Sequence, residues 1–156
     1  MRKLVLDEWL WADLRGENQQ EAQRESFRLL QKVFDQCDQL VTVDGSPFLR
    51  KFYDLCKEAS TGGLRRAIVR TFVAQFLHNS KKLHRLQEGD LPELPREIEG
   101  NIKDDDRYLV RAYLASGAEL LVTTDKQLME VLNNYGISCR DRKTVILDYL
   151  RERGYK

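Results

Sequence analysis

Apolar residues along this chain follow two rhythms, short unbroken runs and stripes spaced by three or four, and the two alternate. Lys3 to Leu6 is a short run that stops at Asp7, the look of a strand buried on both faces of a parallel sheet. After "LRGENQQ" the residues Phe27, Leu30, Phe34 and Cys37 share one helical face. "QLVTV" predicts a second strand, closed by Asp44-Gly45. Ser46-Pro47 then opens a helix through Phe48, Phe52 and Leu55, with serine as N-cap and proline at the first helical position, and "STGG" breaks it. Leu64 to Arg85 reads as one long helix-like stretch, with Ile68, Phe72, Phe76 and Leu77 on a buried face. "LQEGDLPELPREIEGNIK" reads as a connecting loop.

Asp104 caps the next predicted helix, in which Leu109, Ala112, Tyr113 and Ser116 share a face, and Gly117 ends it. "ELLVT" is a third predicted strand, closed by Asp125, and "KQLMEVLNNYG" is a helix with a glycine stop. "ISC" is a short strand, and Asp141 caps a last helix through Tyr149 and Leu150. Strands alternating with helices predict an α/β fold, a sandwich around a mostly parallel sheet. A chain of 156 residues with no repeats reads as one domain over residues 1–156.

Composition narrows the class. With 33% charged and 42% hydrophobic residues the chain is globular rather than disordered, and a formal net charge of +1 excludes polyanion binding by bulk charge alone. Cys37, Cys56 and Cys139 stand far apart with no C-x-x-C pair. They read as reduced, packed thiols of a cytoplasmic protein rather than as a zinc site. Asp7 and Glu8 interrupt the opening "MRKLVLDEWLW" before a signal core forms, and no apolar run approaches a membrane span.

The acids carry the candidate chemistry. In an open parallel sheet, ligands bind outside the carboxyl ends of the strands. Asp7, Asp44 and Asp125 each follow a predicted strand, and the Asp104 to Asp106 cluster opens a helix that can bring its carboxylates to the same edge. Carboxylates gathered there raise one another's pKa unless a cation neutralises them. Oxygen-only ligands select hard ions, Mg²⁺ or Mn²⁺, which bind phosphate oxygens and activate water against a phosphodiester.

"MRKLVLDEWLW" resembles the opening strand of PIN-domain nucleases, and "DDDRYLVRAYLASGAELLVTTDKQL" resembles their later block of aspartate, alanine-rich helix, strand, threonine and aspartate. The tail "NNYGISCRDRKTVILDYLRERG" resembles their closing strand and helix. The resemblance implies a three-layer α/β/α sandwich and a Mg²⁺- or Mn²⁺-dependent endoribonuclease. Asp7, Asp106 and Asp125 would hold the metal, and Thr123 would hydrogen-bond a carboxylate or water. Asp104 is the alternative middle ligand. Family members add a glutamate on the helix after the second strand; "SPFLRKFYDL" offers Phe52 or its neighbours there, and Asp44 is the candidate substitute. A toxin role with an antitoxin partner, and a homodimer, follow from the resemblance alone.

Each feature also has a plainer reading. One or two of the Asp104 to Asp106 carboxylates, and Asp125, could be helix caps. Asp7 could be a loop acid, and Asp44-Gly45 an ordinary turn pair. Arg65, Arg66, Arg70, Lys81, Lys82 and Arg85 are either the solvated side of a helix or the cations that hold an RNA backbone. His78 and His84, six apart, are not a ligand pair. Trp9 and Trp11 pack under the sheet or stack on a base, with packing the default. The rival to a nuclease is a catalytically silent PIN-like domain that binds RNA or a protein. A small-molecule phosphohydrolase would need a D-x-D nucleophile or a glycine-rich phosphate loop, and the chain has neither.

Overall fold

The computed structural model describes residues 1–58 and 63–151. Five strands, β1 (Lys3–Leu6), β2 (Gln39–Val43), β3 (Leu83–Leu86), β4 (Leu120–Thr123) and β5 (Cys139–Asp141), form one sheet in the order β3-β2-β1-β4-β5, and every pairing is parallel. Eight α-helices are present among the described residues: α1 (Trp9–Arg15), α2 (Gln19–Asp35), α3 (Pro47–Glu58), α4 (Gly63–Phe72), α5 (Arg96–Glu99), α6 (Arg107–Ser116), α7 (Lys126–Asn134) and α8 (Arg142–Arg151).

Alternation along the strands sorts the side chains into two cores. Leu4 and Leu6 of β1, Leu40 of β2 and Val122 of β4 pack with the buried faces of α1, α2, α3, α4 and α8. Val5, Val41, Val43, Leu121 and Cys139 face the other way, onto α5, α6, α7 and the segment that carries Leu91 and Leu94. Helices on both sides of a parallel sheet make the expected three layers. They also explain why the strands read as unbroken apolar runs.

The first core is built around Trp11, which is fully buried, with its ring centroid 5.3 Å from Phe48, 5.1 Å from Phe52 and 4.8 Å from Phe72. Trp9 is buried as well and donates from Nε1 to the Val122 carbonyl at 2.9 Å. Both tryptophans therefore pack, on a helix whose apolar Trp9-Leu10-Trp11 start gives no period to read. A buried clasp ties α1 to α2 and α8. Asp13, only 2% exposed, accepts from Ser26 Oγ at 2.7 Å, Asn18 Nδ2 at 2.8 Å and Arg142 Nε at 2.5 Å, and Arg142 also reaches Glu25 at 3.2 Å.

The long helix expected over 64–85 is corrected. Helix α4 ends at Phe72, a π-helical turn covers Val73–Leu77, and Leu83–Leu86 is the edge strand β3. No glycine or proline marks the change. The turn at Asn79, whose carbonyl accepts from Lys82 and Leu83, reverses the chain, and the Lys82 carbonyl then accepts from Leu40 to enter the ladder. The expected loop before α6 carries a 3-10 turn at Glu88–Asp90 and the single-turn α5. The break read at "STGG" falls mostly on residues 59–62, outside the described residues; Gly63 opens α4 with φ 79°. No helix among the described residues is long and apolar enough to cross a membrane.

Candidate functional site

Chain order places a topological switch between β1 and β4. The chain runs outward from β1 through β2 to β3 with its helices on one face, then returns by α6 to β4 on the opposite side of β1. Connections leaving the carboxyl ends of β1 and β4 diverge and leave a crevice there. Asp7 and Thr123 lie at that edge of the sheet. The Asp7 amide donates to the Val122 carbonyl at 3.1 Å, which continues the β1–β4 pairing one step past the strands.

The Asp7 carboxylate is held from two sides. One oxygen accepts from the Glu8 amide at 2.6 Å and the other from Thr123 Oγ1 at 2.9 Å. Thr123, 1% exposed, also accepts from the Asp125 amide at 3.1 Å, so one hydroxyl couples the two strand-end acids. Asp125 is also the N-cap of α7: its Oδ1 accepts from the Gln127 amide at 3.0 Å and the Leu128 amide at 3.2 Å. The capping and site readings of Asp125 are therefore compatible, since a cap uses one carboxylate oxygen and leaves the other.

Of the three consecutive aspartates, one turns inward. Asp104 to Asp106 form a 3-10 turn before α6; Asp104 is 85% exposed at its side chain and pairs with Arg107 at 2.8 Å. Asp106, not Asp104, is the N-cap residue of α6, with no side-chain cap bond. It is half-buried, and with Asp125 it lines an open pocket of about 210 Å³ that also includes Lys103, Ile102 and Leu128.

Charge ties these acids together. Burial, then the negative charges of Asp7 and Asp125, hold the Asp106 carboxyl at about 6, with Lys103 pulling the other way. Burial likewise lifts Asp7, against the hydrogen bonds from Glu8 and Thr123, and Asp125 adds to the lift. Cys139 on β5 is pushed up to about 12 by burial and then by the fields of Asp7 and Asp125. The thiol therefore stays protonated beside the acids, as a packing residue rather than a soft ligand.

Glu8 is the site residue that the sequence reading passed over. Burial and the charge of Asp7 raise its pKa, while Lys51 and the Tyr108 hydroxyl, 3.4 Å from its Oε2, lower it. Burial, followed by the charge of Glu8, raises the Tyr108 phenol in turn. The signal was present as a second acid directly after the strand-end aspartate. On α3, where the resemblance expects a glutamate, Phe52 is fully buried against Trp11 and the exposed neighbour Lys51 offers an ammonium to Glu8. The further carboxylate near Asp7 is that of Glu8, the residue before α1, and none on α3 takes that place. Asp44 is engaged elsewhere, with the β3 edge: its oxygens accept from Arg85 Nε at 2.7 Å and Gln87 Nε2 at 2.5 Å.

The basic residues do not form one strip. Arg65 and Arg66 are exposed on α4, and Arg65 donates to the Arg15 carbonyl at 3.1 Å. Arg70 is exposed near the end of the same helix. Lys81 and Lys82 lie at the amino end of β3, at the sheet edge opposite Asp7, and Lys82 Nζ is bound to the Phe34 carbonyl at 2.6 Å. Arg85, farther along β3, points to the carboxyl edge with Asp44.

Among the described residues, no group of three or more His, Cys, Asp or Glu side chains is arranged to hold a metal ion. The donors suit a hard cation by chemistry, all being carboxylate oxygens, but they do not form a three-carboxylate cage. Mg²⁺ ordinarily takes one or two carboxylates, with waters and substrate phosphates completing its shell. No known family profile matches the chain, and a search of curated proteins finds no significant relative.

Proposed function

We propose that the protein is a PIN-like, metal-dependent endoribonuclease whose site is the switch-point crevice between β1 and β4. One observation carries the reading: the Asp106 carboxyl is held at about 6 by burial and by the charges of Asp7 and Asp125. Acids from three separate elements share one field at the place where parallel sheets bind ligands, and a divalent ion would offset their repulsion. Asp7 and Asp106, with the free oxygen of Asp125, are the candidate holders of Mg²⁺ or Mn²⁺, and Glu8 is the further acid in reach. When bound, such an ion supplies a nucleophile from water and balances charge on the phosphodiester.

The chain's own groups have separable tasks. Thr123 and the Glu8 amide fix the orientation of Asp7. Lys51 and the Tyr108 hydroxyl pull the Glu8 carboxyl down, against burial and the charge of Asp7, which raise it. Exposed Lys103, beside Asp106, is placed to meet a substrate phosphate. A cytoplasmic location, which three free cysteines favour, belongs to the same proposal, as do an antitoxin partner and a homodimer.

The test is cleavage of a generic labelled RNA in Mn²⁺, Mg²⁺ or chelator, alongside thermal melting with each ion. Metal-dependent cleavage is expected, abolished by chelator and lost in Asp7→Asn and Asp106→Asn, with a melting shift by Mn²⁺ in the wild type only. Cleavage that persists in chelator, or no cleavage with no melting shift, rejects the proposal. The second reading is a silent binding module. Lys51 on α3 and the lack of a three-acid group among the described residues favour it, and RNA binding that neither needs metal nor leads to cleavage would establish it.

A further inference from the structure

We propose that the open edge of β3 binds a terminal phosphate group, held by Arg85 and His84 in a groove that continues to the turn before them. The groove lies two strands away from β1 in the sheet, and the inference stands whether or not the acids cleave RNA.

Ladder geometry supplies the first donor. In a parallel pair each residue turns its N–H and C=O to one side, and alternate residues face opposite sides. The Leu40 amide donates to the Lys82 carbonyl at 2.8 Å and the Asp44 amide to the Leu86 carbonyl at 2.9 Å. Lys82, His84 and Leu86 therefore face β2, and Arg85 faces away from the sheet. Among the described residues the Arg85 amide meets no acceptor. The opposite edge is closed at its outward-facing residue: Asn133 accepts from the Cys139 amide at 3.1 Å and donates to the Cys139 carbonyl at 3.0 Å.

Side chains around that amide are donors. An open groove of about 440 Å³ is lined by Leu77, His78, Ser80, Leu83, His84 and Arg85, with no carboxylate. Four other cavities each include at least one acid. Six apart, the histidines share no helical face, yet the reversal at Asn79 brings both to this groove. Alternation sends Arg85 to one face of the sheet and His84 to the other, so their side chains bracket the edge. Asp44 pins Arg85 through Nε at 2.7 Å and leaves the other guanidinium N–H groups as donors. Burial, then the charge of Lys3, lowers the His84 pKa, which places a further cation near the same edge. Outward amide, guanidinium and imidazole suit an oxoanion. A terminal phosphate brings more charge and one more free oxygen than a bridging phosphodiester. Leu77 and Leu83 give the rest of the groove an apolar floor for the organic part of the molecule. Protection of an edge strand by basic residues accounts for the charge, but Asp44 draws the Arg85 side chain toward β2 and the edge amide stays open.

The chain has two histidines, both in this groove, so their ring signals in NMR report on it alone. The full chain, in chelator at pH 7, is titrated with inorganic phosphate, with phenyl phosphate, and with sodium chloride at matched ionic strength. Phosphate should shift the Arg85 amide and the His84 ring saturably, phenyl phosphate should do so at lower concentration, and chloride should not. Arg85→Gln and His84→Gln should each weaken phosphate binding about 10-fold or more, the worth of one hydrogen bond to a charged group, with melting temperatures near that of the wild type. Shifts that follow ionic strength whatever the anion, no saturable shift with either phosphate, or unchanged affinity in both variants overturns the inference. An RNA pentamer with a 5′-phosphate is then compared with its 5′-hydroxyl form. Binding of the phosphorylated pentamer more tightly than phenyl phosphate supports the site with a strand end as the source, and weaker binding supports it with a small phosphomonoester. Equal binding by the two pentamers overturns the choice of a terminal phosphate. Cleavage is not read in any arm, so failure here leaves the reading of the β1–β4 crevice untouched, and failure there leaves this one.

Discussion

Replacing Asp106 by asparagine should make the metal-free protein more stable, although it removes the acid most central to the proposed chemistry. The folded-state carboxyl lies at about 6 against an ordinary 3.8, a gap of about 3 kcal/mol at most, at 1.36 kcal/mol per tenfold. Asp106 is only half-buried, so solvent and salt screen it, and about 1 kcal/mol is the expected gain. For a chain of this size that is a rise of about 2–4 °C in melting temperature. Because folding raises this pKa, the penalty is fully present above pH 6. It falls away as pH drops through 6 toward 3.8, where the wild-type carboxyl is neutral and the two proteins converge. The assay is thermal melting of both proteins in chelator from pH 3.5 to 8, at low and high salt. An Asp106→Asn protein no more stable than wild type at pH 7.5, or a difference that persists at pH 3.5, would refute the claim that burial and the neighbouring acids press on this group.

Trp11→Ala should cost about 3–5 kcal/mol by emptying the centre of the Phe48, Phe52 and Phe72 cluster, read from the midpoint of a denaturant titration. Arg142→Ala should cost a comparable 3–5 kcal/mol, because it leaves Asp13, at 2% exposure, without its guanidinium partner. Double variants with Asp13→Asn should recover part of that loss. Alkylation at pH 8, followed by mass spectrometry, should label exposed Cys37 first and Cys139 last, since Cys139 is buried and its thiol stands at about 12. Asp7→Asn should speed the Cys139 reaction.

Strands ending in aspartate were the most legible part of the chain. β1, β2 and β4 are central, and a strand covered on both faces has to be apolar throughout, so "KLVL", "QLVTV" and "LLVT" stood out along with Asp7, Asp44 and Asp125. β3 was not legible because it is an edge strand: Leu83 is buried, but Arg85 is exposed and His84 and Leu86 lie between. "LHRL" has too little apolar character to interrupt the helical period set by Ile68, Phe72 and Phe76. The missed α1 has a related cause, since residues 9–11 are all buried and show no polar face to count against. Within the site, strand-end position identified the acids but not their fates. Asp44 sits one residue past its strand, as Asp7 does, yet the register of β3 delivers Arg85 to it, and pairing across strands is invisible in a linear chain. Glu8 was missed because an acid next to an acid reads as loop, and only the packing of Tyr108 and Lys51 around it gives it a place.

Asp125 anchors the first turn of α7 through one oxygen, whereas Asp106 stands on a 3-10 turn without a cap bond of its own. The pocket between them works like a vice with one fixed jaw. On the proposed reading, a ligand would meet one carboxylate tied to its own helix and one that is not. Substitutions there have to be chosen accordingly: asparagine keeps the amide-accepting oxygen and removes only the charge, while alanine loosens the jaw itself.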